Sequence, residues 1–217
     1  MSRQDCNVCR RRPEIIFFWR ETERYGCFSQ FYKSTDGCFV LDGVPYFCAE
    51  QAMMAAKARL FGDEDAERAI LAERHSPRRI KELGRGVRNF DARTWGQVAP
   101  DIVRSINFAK FSQNDEIRRC LVSTQSKILA EASPYDKIWG IGLDASDPRA
   151  KDPRNWPGEN HLGEALMFVR EKLREEKEPT GKMEYHPTAK HGRTGRSRND
   201  LMGEPRAKHG GFSFFFV

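Results

Sequence analysis

The segment Cys48-Ala-Glu-Gln-Ala-Met-Met-Ala-Ala-Lys57 strands one acid and one lysine on an otherwise apolar surface. Ala, Met, Glu, Gln and Lys are good helix formers, and no Gly or Pro intervenes before Gly62, so the segment predicts a helix. Glu50 and Lys57 are seven residues apart, close to two turns, and so emerge on one face with Met53 and Met54 between them. A solvated helix would carry more polar groups there, so the face reads as buried or as the floor of a cleft. Taken on spacing alone, the plainer reading is a surface ion pair.

A helix of this kind needs a core around it. The chain has 217 residues, 39% of them hydrophobic, with 15 Phe and 4 Trp, which is enough for a well-buried globular domain. No apolar run approaches the ~20 residues of a membrane span, and the N-terminus lacks a signal-peptide core, so an intracellular protein, cytoplasmic or nuclear and without membrane contact, is expected. Of six cysteines, Cys6 and Cys9 form one C-x-x-C without a second pair, which argues for reduced thiols and against a metal site. Charge is uneven. Residues 177–217 hold eight Lys/Arg against four Asp/Glu, leaving only +2 of the net +6 to the rest. That stretch, rich in Gly, Pro, His and Arg, reads as a basic disordered tail able to touch nucleic acid nonspecifically through phosphates. Residues 1–12 read as a disordered N-terminus, and 13–176 as one compact, mainly α domain with a small N-terminal β-hairpin or sheet. A monomer is expected.

Within that domain, Ile15-Ile-Phe-Phe-Trp19 has strand character, and Asp42-Gly43 between apolar arms predicts a hairpin over 39–46. Pro45 confines its second arm to an edge. Helices are predicted over 63–73, from the Ser76-Pro77 cap to a stop at Gly84, over 94–111 with Pro100 against its first turn, after the Asn114 cap, and over 126–132. A last helix starts near Asn160, with Leu162, Leu166, Val169 and Leu173 forming one stripe.

Three loops fit a purely structural role poorly. Tyr25-Gly-Cys-Phe-Ser-Gln-Phe31 mixes aromatics with small polar residues. Ser133-Pro-Tyr-Asp-Lys-Ile-Trp-Gly-Ile-Gly142 sets Asp136 three residues before Trp139-Gly140, and Trp156-Pro-Gly-Glu-Asn160 leads into Leu162-Gly163. Trp beside Gly suits a flat ligand stacked on an indole with backbone N–H groups near it. Each Trp is equally readable as a core anchor, Asp136 as a turn residue and Asn160 as an N-cap. A Glu, an Asp and a Lys near stacking aromatics can act on a ribose joined to a planar base. One carboxylate stabilises the oxocarbenium-like state or activates water, and an acid protonates the leaving base. A lysine in an apolar site has a depressed pKa, so its neutral amine can attack an anomeric carbon.

Phe28-Ser29-Gln30-Phe31, Ala49-Glu50-Gln51 through Ala56-Lys57-Ala58, Trp95, Ala109-Lys110-Phe111, Tyr135-Asp136 through Trp139-Gly140-Ile-Gly142, and Trp156 through Asn160-His-Leu-Gly163 and Arg170 occur in this order. Together they resemble the signature of the NADAR domain, or YbiA-like, family over roughly 15–174. The resemblance implies a single mainly helical domain, no cofactor, and removal of ADP-ribose from guanine bases in DNA or nucleotides. It also implies Lys57 as a Schiff-base nucleophile, with Glu50 and Asp136 in acid/base work and ribose orientation. Phe28, Ser29, Gln30, Trp95, Trp139, Gly140 and Trp156 would bind the substrate, with Asn160 and Gly163 at the rim.

Two positions depart from the family pattern. Many relatives have Asn where this chain has Gln30, and an aromatic residue where it has Ala52; neither departure removes a group that the chemistry needs. Arg78, Arg79, Arg85 and Arg88 lean toward a polyanionic substrate or form a solvated helical surface. The alternative activities are cleavage of riboflavin-pathway intermediates, as in the bacterial branch of the family, and noncatalytic binding of NAD or ADP-ribose. Binding alone would not require Glu50, Lys57 and Asp136 together.

Overall fold

The computed structural model describes residues 13–33 and 37–176. The expectations of disorder for 1–12 and 177–217, and the Cys6/Cys9 pair, lie outside these residues. Among the described residues ten strands and α-helices follow one another: β1 (Ile15–Phe18), β2 (Phe39–Leu41), β3 (Val44–Tyr46), α1 (Ala49–Leu60), α2 (Glu64–Ala72), α3 (Pro77–Arg85), α4 (Ala92–Ser112), α5 (Asp115–Ser123), β4 (Ile128–Glu131) and α6 (His161–Glu175). The protein is mainly α-helical. Among the described residues no helix is long and apolar enough to cross a membrane.

Local chemistry explains most boundaries. Asp63, Ser76, Asp91 and Asn114 each cap a helix by accepting a hydrogen bond from a backbone N–H in its first turn. Asp42 and Gly43 both take positive φ, as a two-residue hairpin turn requires, and join β2 to β3 in antiparallel register. The helix over α4 runs straight through Pro100, which forfeits one internal hydrogen bond without ending it. Gly84 is a packing position within α3 rather than its end. A Cβ there would meet Met54 Sδ at 2.0 Å, so its absence is what lets α3 lie against α1.

One element contradicts the sequence pattern. Residues 128–131 are not helical; they form β4, which pairs parallel with β1 from Ile15↔Ile128 to Phe18↔Glu131. Leu, Ala and Glu favour a helix locally, but β1 supplies backbone partners and α6 covers the strand. Strand alternation splits the pair between two cores. Ile16, Phe18 and Leu129 join the main core formed by the helices, whereas Ile15, Phe17 and Ala130 join a smaller cluster with Ile141, Leu143, Ala150 and Trp156. Glu131 falls on the same side of β4 as Leu129. That places its carboxyl toward α1.

Candidate active site

The face of α1 that carries Glu50 and Lys57 forms one wall of a cleft of about 1030 Å³. Met53 and Met54 lie between them on that wall, Ser29, Gln30 and Phe31 border it on one side, and α3 contributes Lys81, Gly84 and Arg85. Glu131, Ser133, Asp136 and Trp139 also line it, with Trp19, Trp95 and Tyr135 adding to the aromatic lining. Of the residues expected in the site, the fold therefore brings together Lys57, Glu50, Asp136, Ser29, Gln30, Trp95 and Trp139.

Lys57 is buried, and its Nζ donates to Gly84 O at 2.8 Å while lying 3.9 Å from the centre of the Phe90 ring. Burial lowers its pKa, with the neighbouring Glu50 carboxylate opposing. Glu50 is pushed the other way. Its burial raises the carboxyl pKa and Asp136 adds to this, while Lys81, Arg85 and Lys57 counteract. Burial thus disfavours the charged form of each group, the carboxylate of Glu50 and the ammonium of Lys57. The backbone of Glu50 is fixed by its N–H donating to Gln30 O at 2.9 Å. Its neighbour Gln51 faces away and stitches α1 to the end of α2, donating to Ile70 O and Glu73 O. One residue of the Glu-Gln pair faces the cleft and the other holds the helix in place.

Asp136 Oδ1 accepts from the N–H groups of Ile138 and Trp139 at 2.9 and 2.8 Å, closing the turn that presents Trp139. The Gln30 amide is buried: its Nε2 contacts Met53 Sδ and its Oε1 accepts from Asn107 Nδ2 at 3.2 Å. This side chain therefore braces the Ser29-Gln30 loop against α1 and α4.

Five expected residues stand behind the cleft instead of lining it. Phe28 is fully buried against Phe18, Tyr25 and Phe111. Trp156 donates its indole N–H to Ala150 O in the smaller core. Asn160, in left-handed conformation, does not cap α6 with its side chain. It donates to Leu129 O at 2.9 Å and accepts from Glu131 N at 3.1 Å, tying α6 to β4. Gly163 lets α6 approach the same strand, because a Cβ there would meet Leu129 O at 2.1 Å, and a Cβ at Gly140 would meet Glu131 O at 2.8 Å. These five positions pack behind the residues that line the cleft.

Sequence patterning missed Glu131, Trp19 and a ring of cations, Arg20, Lys33 and Lys81, on the cleft lining. Glu131 was concealed by the helical reading of 126–132, since Ile-Leu-Ala-Glu carries no period-two alternation and becomes a strand only beside β1. Among the described residues no group of three or more His, Cys, Asp or Glu is placed to hold a metal ion.

Comparison with known proteins identifies the family. The NADAR domain family model matches residues 17–174. Protein irg-1 of Caenorhabditis elegans is 45% identical over 130 residues, 59% of this chain and 61% of that protein, so the match spans less than two thirds of the relative. N-glycosidase R617 of Acanthamoeba polyphaga mimivirus is 48% identical over 126 residues, 58% of this chain and 74% of that protein. The NMR structure of the E. coli protein YbiA superposes with a TM-score of 0.62 at 29% identity, covering 81% of this chain and 91% of that one. The matched span runs from the second half of β1 to the body of α6 and contains every residue that lines the cleft, and the chain belongs to the NADAR domain family.

Proposed function

We propose that this chain is an N-glycosidase that removes ADP-ribose from guanine, in DNA or in a nucleotide, through a Schiff base on Lys57. The class of reaction is supported by relatives named N-glycosidase, among them the mimiviral protein. The observation that carries the mechanism is the lysine itself. Lys57 is buried yet lines the cleft, and it donates one hydrogen bond, to Gly84 O, so a neutral amine there keeps its lone pair for attack.

In this mechanism the Lys57 amine attacks the anomeric carbon. The C–N bond to guanine breaks, and its electron pair leaves with the base. Glu50 takes a proton from the new carbon–nitrogen centre and returns it to the ring oxygen as the sugar opens, leaving the Schiff base. Water then adds to that carbon and releases ADP-ribose and the free lysine. Asp136 meets ribose hydroxyls from the opposite wall. Trp95 and Trp139 offer stacking surfaces for a planar base, and Arg20, Lys33, Arg78, Lys81 and Arg85 supply positive charge that suits a diphosphate.

Purified protein would be offered guanine-ADP-ribosylated DNA and, separately, a riboflavin-pathway ribosylamine, with products read by mass spectrometry and borohydride added to trap a lysine adduct. The expected result is release of ADP-ribose from the DNA and a trapped adduct on Lys57. Tight ADP-ribose binding without turnover of either compound would sink the enzyme reading. Full turnover by Lys57→Ala would remove the Schiff base and keep the N-glycosidase.

A further inference from the structure

The cleft holds a third carboxyl group that the scheme above leaves idle. Glu131 ends β4 on the strand face turned to α1, and its backbone is clamped from two directions. Its N–H donates to Asn160 Oδ1 at 3.1 Å, and its carbonyl accepts from Ile141 N at 2.9 Å. Gly140 lies so close beneath that carbonyl that any side chain there would collide with it. The side chain is treated differently. Oε2 is sealed from solvent and has no hydrogen-bond partner among the described residues, although Glu131 lines the cleft. A sealed and unpaired carboxylate oxygen is costly when charged and tolerable when the group is neutral.

We propose that Glu131 is the acid of the reaction, delivering its proton to the nitrogen of the departing base. This rests on the N-glycosidase reading and names the group that reading lacks. As the C–N bond breaks, its electron pair goes to nitrogen and the nitrogen takes the Glu131 proton. The carboxylate left behind removes a proton from the water that attacks the Schiff base, which restores the acid. Every charged neighbour bears on this proton. Burial, then Asp136 of the 133–142 loop and Glu50 of α1, push the Glu131 carboxyl up to about 8, while Lys81 of α3 pulls it down. The adjoining strand β1 has only Ile and Phe to offer. Asn160 and Gly140 become positioning residues for Glu131, which accounts for two signature positions that never touch the cleft.

The test compares wild type and Glu131→Gln on guanine-ADP-ribosylated DNA across pH, and on the same linkage to N7-methylated guanine, a base that departs with less need of a proton. Expected is a roughly 10²-fold or greater fall in kcat on ordinary guanine. The alkaline limb of the wild-type profile should vanish, and the loss on the methylated base should be clearly smaller. Equal losses on both substrates, or an alkaline limb retained by the variant, would overturn the assignment. If Glu131→Gln does not fold, carbon-13 titration of the Glu131 carboxyl in wild type decides. A group still protonated at pH 7 supports the proposal, and one ionised by pH 5 rejects it. An inactive wild type removes the N-glycosidase reading and this inference with it, whereas a fully active Gln variant removes only the latter.

Discussion

Two lysines are buried among the described residues, and they sit in opposite settings. Lys110 of α4 donates to Cys27 O at 2.7 Å and to Ser29 O at 2.9 Å, so its ammonium fastens the loop that carries Ser29 and Gln30. Lys57 of α1 donates to a single carbonyl and turns toward the cleft. Burial lowers the pKa of both, that of Lys110 to about 8. A depressed lysine pKa is therefore no guide to chemistry by itself. What separates the two is the unspent hydrogen-bonding capacity of Lys57 and the open space beside it.

The largest effect expected from breaking this contrast is on rate. Lys57→Ala should lower kcat by about 10³-fold or more and abolish the borohydride-trapped adduct, with the melting temperature little changed. Lys57→Arg should not rescue it, because a guanidinium stays protonated. Lys110→Met, in contrast, should keep the trapped adduct and express itself as a few-fold rise in KM from a loosened Ser29-Gln30 loop.

The same variant has a second signature, in stability against pH. Between pH 8 and the ordinary lysine value of 10.5, unfolded chains hold the Lys110 proton and folded ones have lost it, so folding stability gains as pH rises through that window. Compared with Lys110→Met, wild type should gain up to about 3 kcal/mol there, measured by denaturant unfolding at each pH. A difference independent of pH would show that Lys110 is not depressed, and the comparison with Lys57 would lose one of its legs.

Legibility in the sequence follows the range of the interaction that decides each feature. Helix caps at Ser76 and Asn114, the Asp42-Gly43 turn and the Leu162–Leu173 stripe of α6 are set by residues within a few positions, and all are present in the structure. The pairing of Glu50 with Lys57 across one helical face is equally local. β4 is not local. Its partner β1 lies more than a hundred residues earlier, and without that partner Ile-Leu-Ala-Glu is a reasonable helical turn. The error propagated, since a helical 126–132 left no reason to aim Glu131 at the cleft. It also left the backbone contacts of Asn160, Gly140 and Gly163 with the 128–131 strand out of view. Order along the chain identified these positions as belonging together; only the paired strands show that some of them act on the backbone.

Asn160 gives the next smaller effect and tests that distinction. Its positive φ makes Gly the fair replacement, because Asn160→Gly keeps the backbone conformation and deletes only the side chain. Two hydrogen bonds to β4 disappear and Leu129 O is left buried, which should cost about 2 kcal/mol. If Asn160 acts by positioning Glu131, kcat should fall while KM for the DNA substrate stays within a few-fold. A rise in KM with kcat unchanged would return Asn160 to the ligand.

Gly84→Ala probes the Lys57 wall with the gentlest change. The new methyl would meet Met54 Sδ at 2.0 Å and Cβ at 3.0 Å; the thioether can swing aside, but the Met54 Cβ moves only with α1. The helices must part slightly, at a cost of about 1 kcal/mol. Gly84 O is the acceptor for Lys57 Nζ, so the same movement lengthens the 2.8 Å bond that orients the amine. A several-fold drop in kcat should accompany the small loss of stability, and the Lys110 loop, which meets α1 at Glu50 and Met53 and not at Met54, should give an unchanged KM. If KM rose instead, the two lysine sites would be coupled through α1, and the division of labour between them would have to be redrawn as one continuous wall.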